Sequence, residues 1–176
     1  MPPRLLSREE ALAGTLAPPE VSGAQTLLDL PFCGLDGEVR TGQLMVHRDL
    51  AAEVWEIFQE ILRARFPLHS LLPAVVFGWS DDLSMAANNS SGFNYRRAVG
   101  KSKLSEHSWG RAIDLNPVQN PYIRGELVLP PGAVRDASQP GTLLPDGEVV
   151  AAFESRGWTW GGRWTTLLDW HHFEKS

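Results

Sequence analysis

Apolar residues recur along this chain at two periods, and the switches between them outline the elements. Leu50, Val54, Ile57, Phe58, Ile61 and Leu62 repeat at helical spacing, which predicts a helix capped by Asp49, ending before Pro67 and burying Trp55 and Phe58. Upstream, strand material from Leu30 and the run Gln43-Leu-Met-Val-His47 flank Asp36-Gly37, the residues of a type I′ hairpin turn. Pro73-Ala-Val-Val-Phe-Gly78 is a short apolar run between breakers and predicts a buried strand. Ser80 is placed to cap one or two helical turns, and Asp146 to cap a helix whose apolar face is Val149, Val150 and Phe153 and whose stop is Gly157. Ser7-Arg-Glu-Glu10 is a capping box for a short helix stopped by Gly14 and Pro18-Pro19. Residues 1–28 thus read as an N-terminal extension without chemistry, docked or disordered, and 29–176 as one domain. Short strands with two or three helices give an α+β fold, a mainly antiparallel sheet with helices packed on it.

Two stretches interrupt this framework with polar groups that a packed core does not need. In Ser105-Glu-His-Ser-Trp-Gly-Arg-Ala-Ile-Asp114, Gly110 permits a bend after His107. Strand alternation then puts Ala112 and Asp114 on one face and the apolar Ile113 and Leu115 on the other. In Asp169-Trp-His-His-Phe-Glu174, Phe173 faces the core while His172 and Glu174 point the opposite way. An imidazole at His107, a carboxylate at Asp114 and an imidazole from the pair His171 and His172 make two nitrogens and one oxygen. That set leaves a fourth position open, the ligand count of a catalytic zinc. Asp169, three residues before His172, is close enough to support a ligand or to act on water. Alternation over Phe93-Asn-Tyr-Arg96 sets Asn94 and Arg96 on one side, leaving Arg97 to face elsewhere. The lone histidines His47 and His69 have no partner pattern and read as a strand-end cap or surface residue and a loop residue.

Ser105-x-His107-x-x-Gly110-x-Ala112-x-Asp114, followed by Asp169-x-x-His172-Phe173-Glu174, resembles the zinc D-alanyl-D-alanine carboxypeptidases and L-alanyl-D-glutamate endopeptidases that cut peptidoglycan stem peptides. Asn88-Asn-Ser-Ser-Gly-Phe-Asn-Tyr-Arg96 and Gly157-Trp-Thr-Trp-Gly-Gly162 extend the resemblance from about residue 30 to the C-terminus. It implies the Hedgehog/DD-peptidase fold and one zinc ion held by His107, Asp114 and His172, the spacing favouring His172 over His171. It also implies Asp169 as general base and Arg96 as transition-state stabiliser, with Ser105, Glu174 and Asn94 supporting ligands or substrate. A zinc-binding interaction module of the same fold, as in the signalling domain of Hedgehog proteins, is the alternative; retention of Asp169 and Arg96 argues against it.

Bulk properties narrow the partners. The chain has 176 residues, with 16 basic and 21 acidic side chains for a net charge of −5, so no nucleic-acid footprint is expected. The single cysteine, Cys33, excludes an internal disulfide and reads as a small buried residue. No run has transmembrane length, a monomer is favoured, and Met1–Glu10 lacks the apolar core of a signal peptide. Residues 117–147 hold six prolines and four glycines, which suits a wall or lid over a substrate groove. Trp158, Trp160 and Trp164 are assigned to core and loop packing.

Overall fold

The computed structural model describes residues 4–176. Its elements, in order, are α1 (Arg8–Ala11), α2 (Pro19–Gly23), β1 (Gln25–Gly34), β2 (Val39–His47), α3 (Ala51–Arg63), β3 (Pro67–Leu68), β4 (Ser70–Leu71), α4 (Asp81–Ala86), β5 (Asn89–Ser90), β6 (Ala112–Asp114), β7 (Tyr122–Arg124), β8 (Leu127–Leu129), α5 (Glu148–Glu154), β9 (Thr159–Trp160), β10 (Leu168–Asp169) and β11 (His172–Glu174). The fold is α+β, but its strands form four small sheets instead of one: β2-β1-β3, β10-β7-β8, β6-β11-β9 and β4-β5. The β1–β3 and β4–β5 pairings are parallel and the others antiparallel. No described helix is long and apolar enough to cross a membrane.

One core joins these pieces. Leu30, Phe32, Leu44 and Val46 of the first hairpin, Val54, Ile57, Phe58 and Ile61 of α3, and Val149, Val150 and Phe153 of α5 share one buried cluster. Phe153 stacks on Phe173 with ring centres 4.0 Å apart, and Ile113 and Leu115 enter the same core. The short strands β6 and β11 are thereby anchored by their apolar faces, which fixes the direction of their polar faces.

Several local expectations change in the folded chain. The β1–β2 turn is not type I′, since Gly37 (φ 84°) has positive φ and Asp36 does not; the Gly37 N–H bonds Gly34 O and the Gly34 N–H bonds Glu38 O. His47, not Asp49, starts the turn that leads into α3, its Nδ1 accepting from the Asp49 N–H at 3.2 Å. Trp55 is 43% exposed and so is not a core residue. Residues 74–77 form a 3-10 turn instead of a strand, ended by Gly78 at φ 59°; so short an apolar run does not separate the two by periodicity. Gly147 stands at the N-cap assigned to Asp146. The N-terminal segment is docked: Leu6, Leu12 and Ala17 pack with buried Ala11 and Val21 against Met45 and Phe93. Strand β1 begins at Gln25, inside the stretch assigned to the extension.

Within residues 117–147 the hairpin β7–β8 pairs with β10, and the remainder is pinned. Asn120, fully buried, donates to the carbonyls of Leu115, Asn116 and Gly141 and accepts from the Leu143 N–H at 2.7 Å. Arg135 lies 3.7 Å over the Trp170 ring and donates to Leu143 O.

Candidate metal centre and cavity

Three separate segments deliver the candidate ligands, each for a local reason. His107 lies in a 3-10 turn, Glu106–Trp109, capped by Ser105, whose Oγ accepts from the His107 N–H. The turn is ended by Gly110 at φ 67°, where a Cβ would fall onto Gln25 Oε1 and the His47 backbone nitrogen. Asp114 closes β6, and β11 pairs with it so that His172 lies directly across from Asp114 and Phe173 across from Ile113. Cross-strand partners share a face. The carboxylate and imidazole therefore converge while Ile113 and Phe173 pack behind them.

The outer nitrogens of both rings are committed. His107 Nδ1 faces the Gly92 carbonyl at 2.6 Å, and His172 Nε2 faces Glu174 Oε2 at 2.9 Å. Both partners accept hydrogen bonds, so in the neutral rings the inward His107 Nε2 and His172 Nδ1 carry lone pairs. These two atoms are 3.2 Å apart and lie 3.0 and 2.9 Å from the two oxygens of Asp114. His107, Asp114 and His172 are 1%, 2% and 6% exposed, with ligand atoms all within 4.8 Å of one another. Two lone pairs and a carboxylate facing one another in a buried space repel until positive charge sits among them, and an N,N,O set suits zinc. The residues fit the ion. Gly92 contributes through its lack of a side chain: a Cβ there would strike the Met45 carbonyl, so glycine brings this backbone to the position that pins His107.

Electrostatics at these side chains follow the same geometry. Burial works to raise the Asp114 carboxyl, but the surrounding imidazoles of His107, His171 and His172 outweigh it and hold the group well below the usual carboxylate range. Burial opposes charge on His172, yet Asp114 and Glu174 raise its pKa to about 10. His171, opposed in the same way, is raised to about 9, first by Asp169 and then by Asp114. The hydrogen bond from His172 lowers the pKa of Glu174.

These ligands sit in the wall of a cavity of about 300 Å³ that Arg96, Ser105, Asp169 and Glu174 also line. Asp169 Oδ1 is 3.0 Å from His171 Nε2, while His171 Nδ1 faces the Asn120 carbonyl at 2.7 Å. Arg96 is paired with Asp81 at 3.0 Å, and its backbone is bracketed by the Ser108 hydroxyl. Arg97 is exposed and turns to Ser102 O, away from the cavity as alternation requires. Asn94 does not line the cavity; its side chain is buried, and its N–H donates to His107 O at 3.0 Å. His47 and His69 stay outside the site as well.

Residues 98–175 match the D-alanyl-D-alanine carboxypeptidase family. The family resemblance read from the motifs is borne out over that stretch. It contains His107, Asp114, Asp169, His172 and Glu174, whereas Asp81, Asn94 and Arg96 precede the part shared with the carboxypeptidase family. No curated protein and no solved structure matches the chain.

Some cavity residues were not legible beforehand. Trp164, assigned to packing, lines the cavity with its ring 5.6 Å from that of His172, while Trp158 and Trp160 are core residues as expected. Asp81, Lys101, Tyr122 and Leu129 also line it. For Asp81 the signal available was a carboxylate in the first turn of a capped helix, which reads equally as helix-end stabilisation.

Proposed function

We propose that the protein is a zinc-dependent peptidase acting on peptidoglycan stem peptides, either as a D-Ala-D-Ala carboxypeptidase or as an L-Ala-D-Glu endopeptidase, with the Hedgehog/DD-peptidase fold over residues 29–176. The observation that carries this reading is the cavity wall itself: a buried N,N,O ligand set shares it with a carboxylate, Asp169, and a guanidinium, Arg96. In this reading one zinc is held by His107 Nε2, Asp114 and His172 Nδ1. Zinc there would supply Lewis-acid polarisation of a peptide carbonyl and acidify a water at neutral pH.

The chain's own groups then divide the remaining work. Asp169 accepts the proton of the attacking water and passes it to the leaving amine. His171, 3.0 Å from Asp169 Oδ1, keeps that carboxylate turned into the cavity. The Arg96 guanidinium donates to the oxyanion that develops on the substrate, a contribution of roughly 3 kcal/mol for a typical oxyanion donor. Glu174 fixes the His172 tautomer, and Ser105 and the Asn94 N–H hold the turn that presents His107. Trp164, Tyr122 and Leu129 contribute to the apolar surface of the cavity.

The test is metal content together with hydrolysis of two peptides, one ending in D-Ala-D-Ala and one with an internal L-Ala-D-Glu bond, by wild type and Asp169→Ala. About one zinc per chain and cleavage of one peptide by wild type alone is the expected result. Zinc binding without cleavage of either peptide or of intact cell wall would remove the peptidase reading and leave a zinc-binding module.

A further inference from the structure

The buried polar side chains of the cavity wall have partners, with one exception. Ser105, His107, Asp114, His171 and His172 each make at least one polar contact with the backbone or with another side chain. Tyr122 lines the same cavity and is 5% exposed, yet its hydroxyl has no hydrogen-bond partner among the described residues. That oxygen is not one of the unpartnered side-chain atoms sealed inside the protein, so the small open part of Tyr122 includes its hydroxyl. Strand register sets the direction. β7 is the middle strand of β10-β7-β8, and Tyr122 lies across from Asp169 on one side and from Leu129 on the other. Cross-strand partners share a face, and all three of these residues line the cavity. Ile123 and its partners Leu168 and Val128 turn the other way. The row Asp169, Tyr122, Leu129 is therefore one wall of the cavity. Asp169 is its end nearer the candidate ligands, joined to them through His171, which lies 3.0 Å from Asp169 and 3.8 Å from Asp114.

We propose that the Tyr122 hydroxyl is a substrate-binding group that takes a main-chain N–H or C=O of the peptide unit next to the one that is cut. A phenol O–H both donates and accepts, which suits an amide and asks for no charge on the substrate. Its place in the row, one strand farther from the candidate ligands than Asp169, sets it beyond the group on which Asp169 acts. The cavity therefore takes a chain with at least two peptide bonds, one at the candidate ligands and the second at Tyr122. The identity of the ligand rests on the peptidase reading, but the contact does not depend on hydrolysis.

The test is Tyr122→Phe, which removes one oxygen and keeps the ring. Binding of L-Ala-γ-D-Glu-L-Lys-D-Ala-D-Ala is measured by calorimetry on zinc-loaded Asp169→Ala protein with and without Tyr122→Phe. In protein with Asp169 intact, kcat and KM are measured for the same peptide. The expected result is that Kd and KM rise together about threefold to tenfold, the worth of one neutral hydrogen bond. Zinc content, melting temperature and kcat should hold, as they do when a contact made equally in ground and transition states is removed. Because both partners are neutral, the effect should persist at high salt. Tyr95→Phe, whose ring packs in the N-terminal cluster and not in the cavity wall, should change none of these quantities. Unaltered affinity in Tyr122→Phe, or no binding of the peptide to the Asp169→Ala protein, would overturn the proposal. A melting temperature that falls with the affinity would overturn it too, since the hydroxyl would then be holding the fold. If protein with Asp169 intact cuts the peptide at no bond the peptidase reading fails, while the calorimetry still decides for or against the Tyr122 contact.

Discussion

Asp81→Asn is the perturbation that most directly probes how Arg96 is held. Asp81 is presented by α4, whose N-cap Ser80 accepts from the Leu83 N–H, and its carboxylate meets the Arg96 guanidinium at 3.0 Å with side chains 17% and 20% exposed. Fully exposed ion pairs contribute about 0–1 kcal/mol, and hydrogen bonds to charged groups about 1.5–3 kcal/mol. A pair this sheltered falls between, at roughly 1.5 kcal/mol, which is about tenfold in rate if the pair aims Arg96 at the reacting carbonyl. Asparagine keeps the volume and an acceptor oxygen, so the change removes charge and little else. The assay is a double-mutant cycle in kcat with Arg96→Ala, with zinc content as control. Arg96→Ala alone should lower kcat about 10²- to 10³-fold. Asp81→Asn should lower it about tenfold in the wild-type background and leave it unaltered in the Arg96→Ala background. An equal loss in both backgrounds would refute the coupling, and a gain in kcat would mean that Asp81 competes with the substrate for Arg96.

Four further outcomes follow from the site and its support. Because Asp114 and Glu174 raise His172 to about 10, and Asp169 and Asp114 raise His171 to about 9, both imidazoles of the metal-free protein hold protons at neutral pH. Zinc uptake at about pH 7.5 should therefore release protons, read by calorimetry in buffers of different ionisation heat, with affinity rising with pH. With folded pKa values above the ordinary 6.5, these groups stabilise the metal-free protein fully below about pH 6.5. That contribution is lost as pH rises through about 9 to 10, so the melting temperature after chelation should fall over that window. Glu174→Gln replaces the charged acceptor on His172 Nε2 and should weaken zinc binding about 10- to 100-fold in chelator competition. Asn120→Ala strips the acceptor from the Leu143 N–H and the donors from Leu115 O and Gly141 O; the expected loss is about 3 kcal/mol, seen as a melting temperature lower by about 6–12 °C.

What the sequence made legible was local chemistry with a period. The faces of β6 and β11 follow from alternation, because Ile113, Leu115 and Phe173 have only the core to go to and their neighbours must turn the other way. The α3 stripe at Val54, Ile57, Phe58 and Ile61 is buried for the same reason. Trp55 broke with expectation because composition suggested core while its angular position on the helix put it outside. The misread 3-10 turn at 74–77 and the shifted caps at His47 and Gly147 are decided by a few backbone angles that short runs do not encode. Least legible were contacts across long separations. The Asp81–Arg96 pair and the approach of Arg124 to Gly100 depend on how α4 and β7 dock, and neither leaves a spacing to read.

His171 and His172 show how adjacent residues of one type can be separated by what binds their far side. His172 has Nε2 tied to Glu174, two residues along the same strand, which leaves Nδ1 for the interior, where Asp114 stands opposite in register. His171 has Nδ1 tied to the Asn120 carbonyl, so its Nε2 is the free end, 3.0 Å from Asp169 and 3.8 Å from Asp114. The spacing from Asp169 and the strand parity of Phe173 both favour His172 as ligand, and the hydrogen-bond partners give that preference a physical cause. His172→Ala should abolish stoichiometric zinc binding, whereas His171→Ala should retain zinc and lose activity through a disordered Asp169. Retention of zinc in the first variant and its loss in the second would reverse the two roles and move the metal toward Asp169.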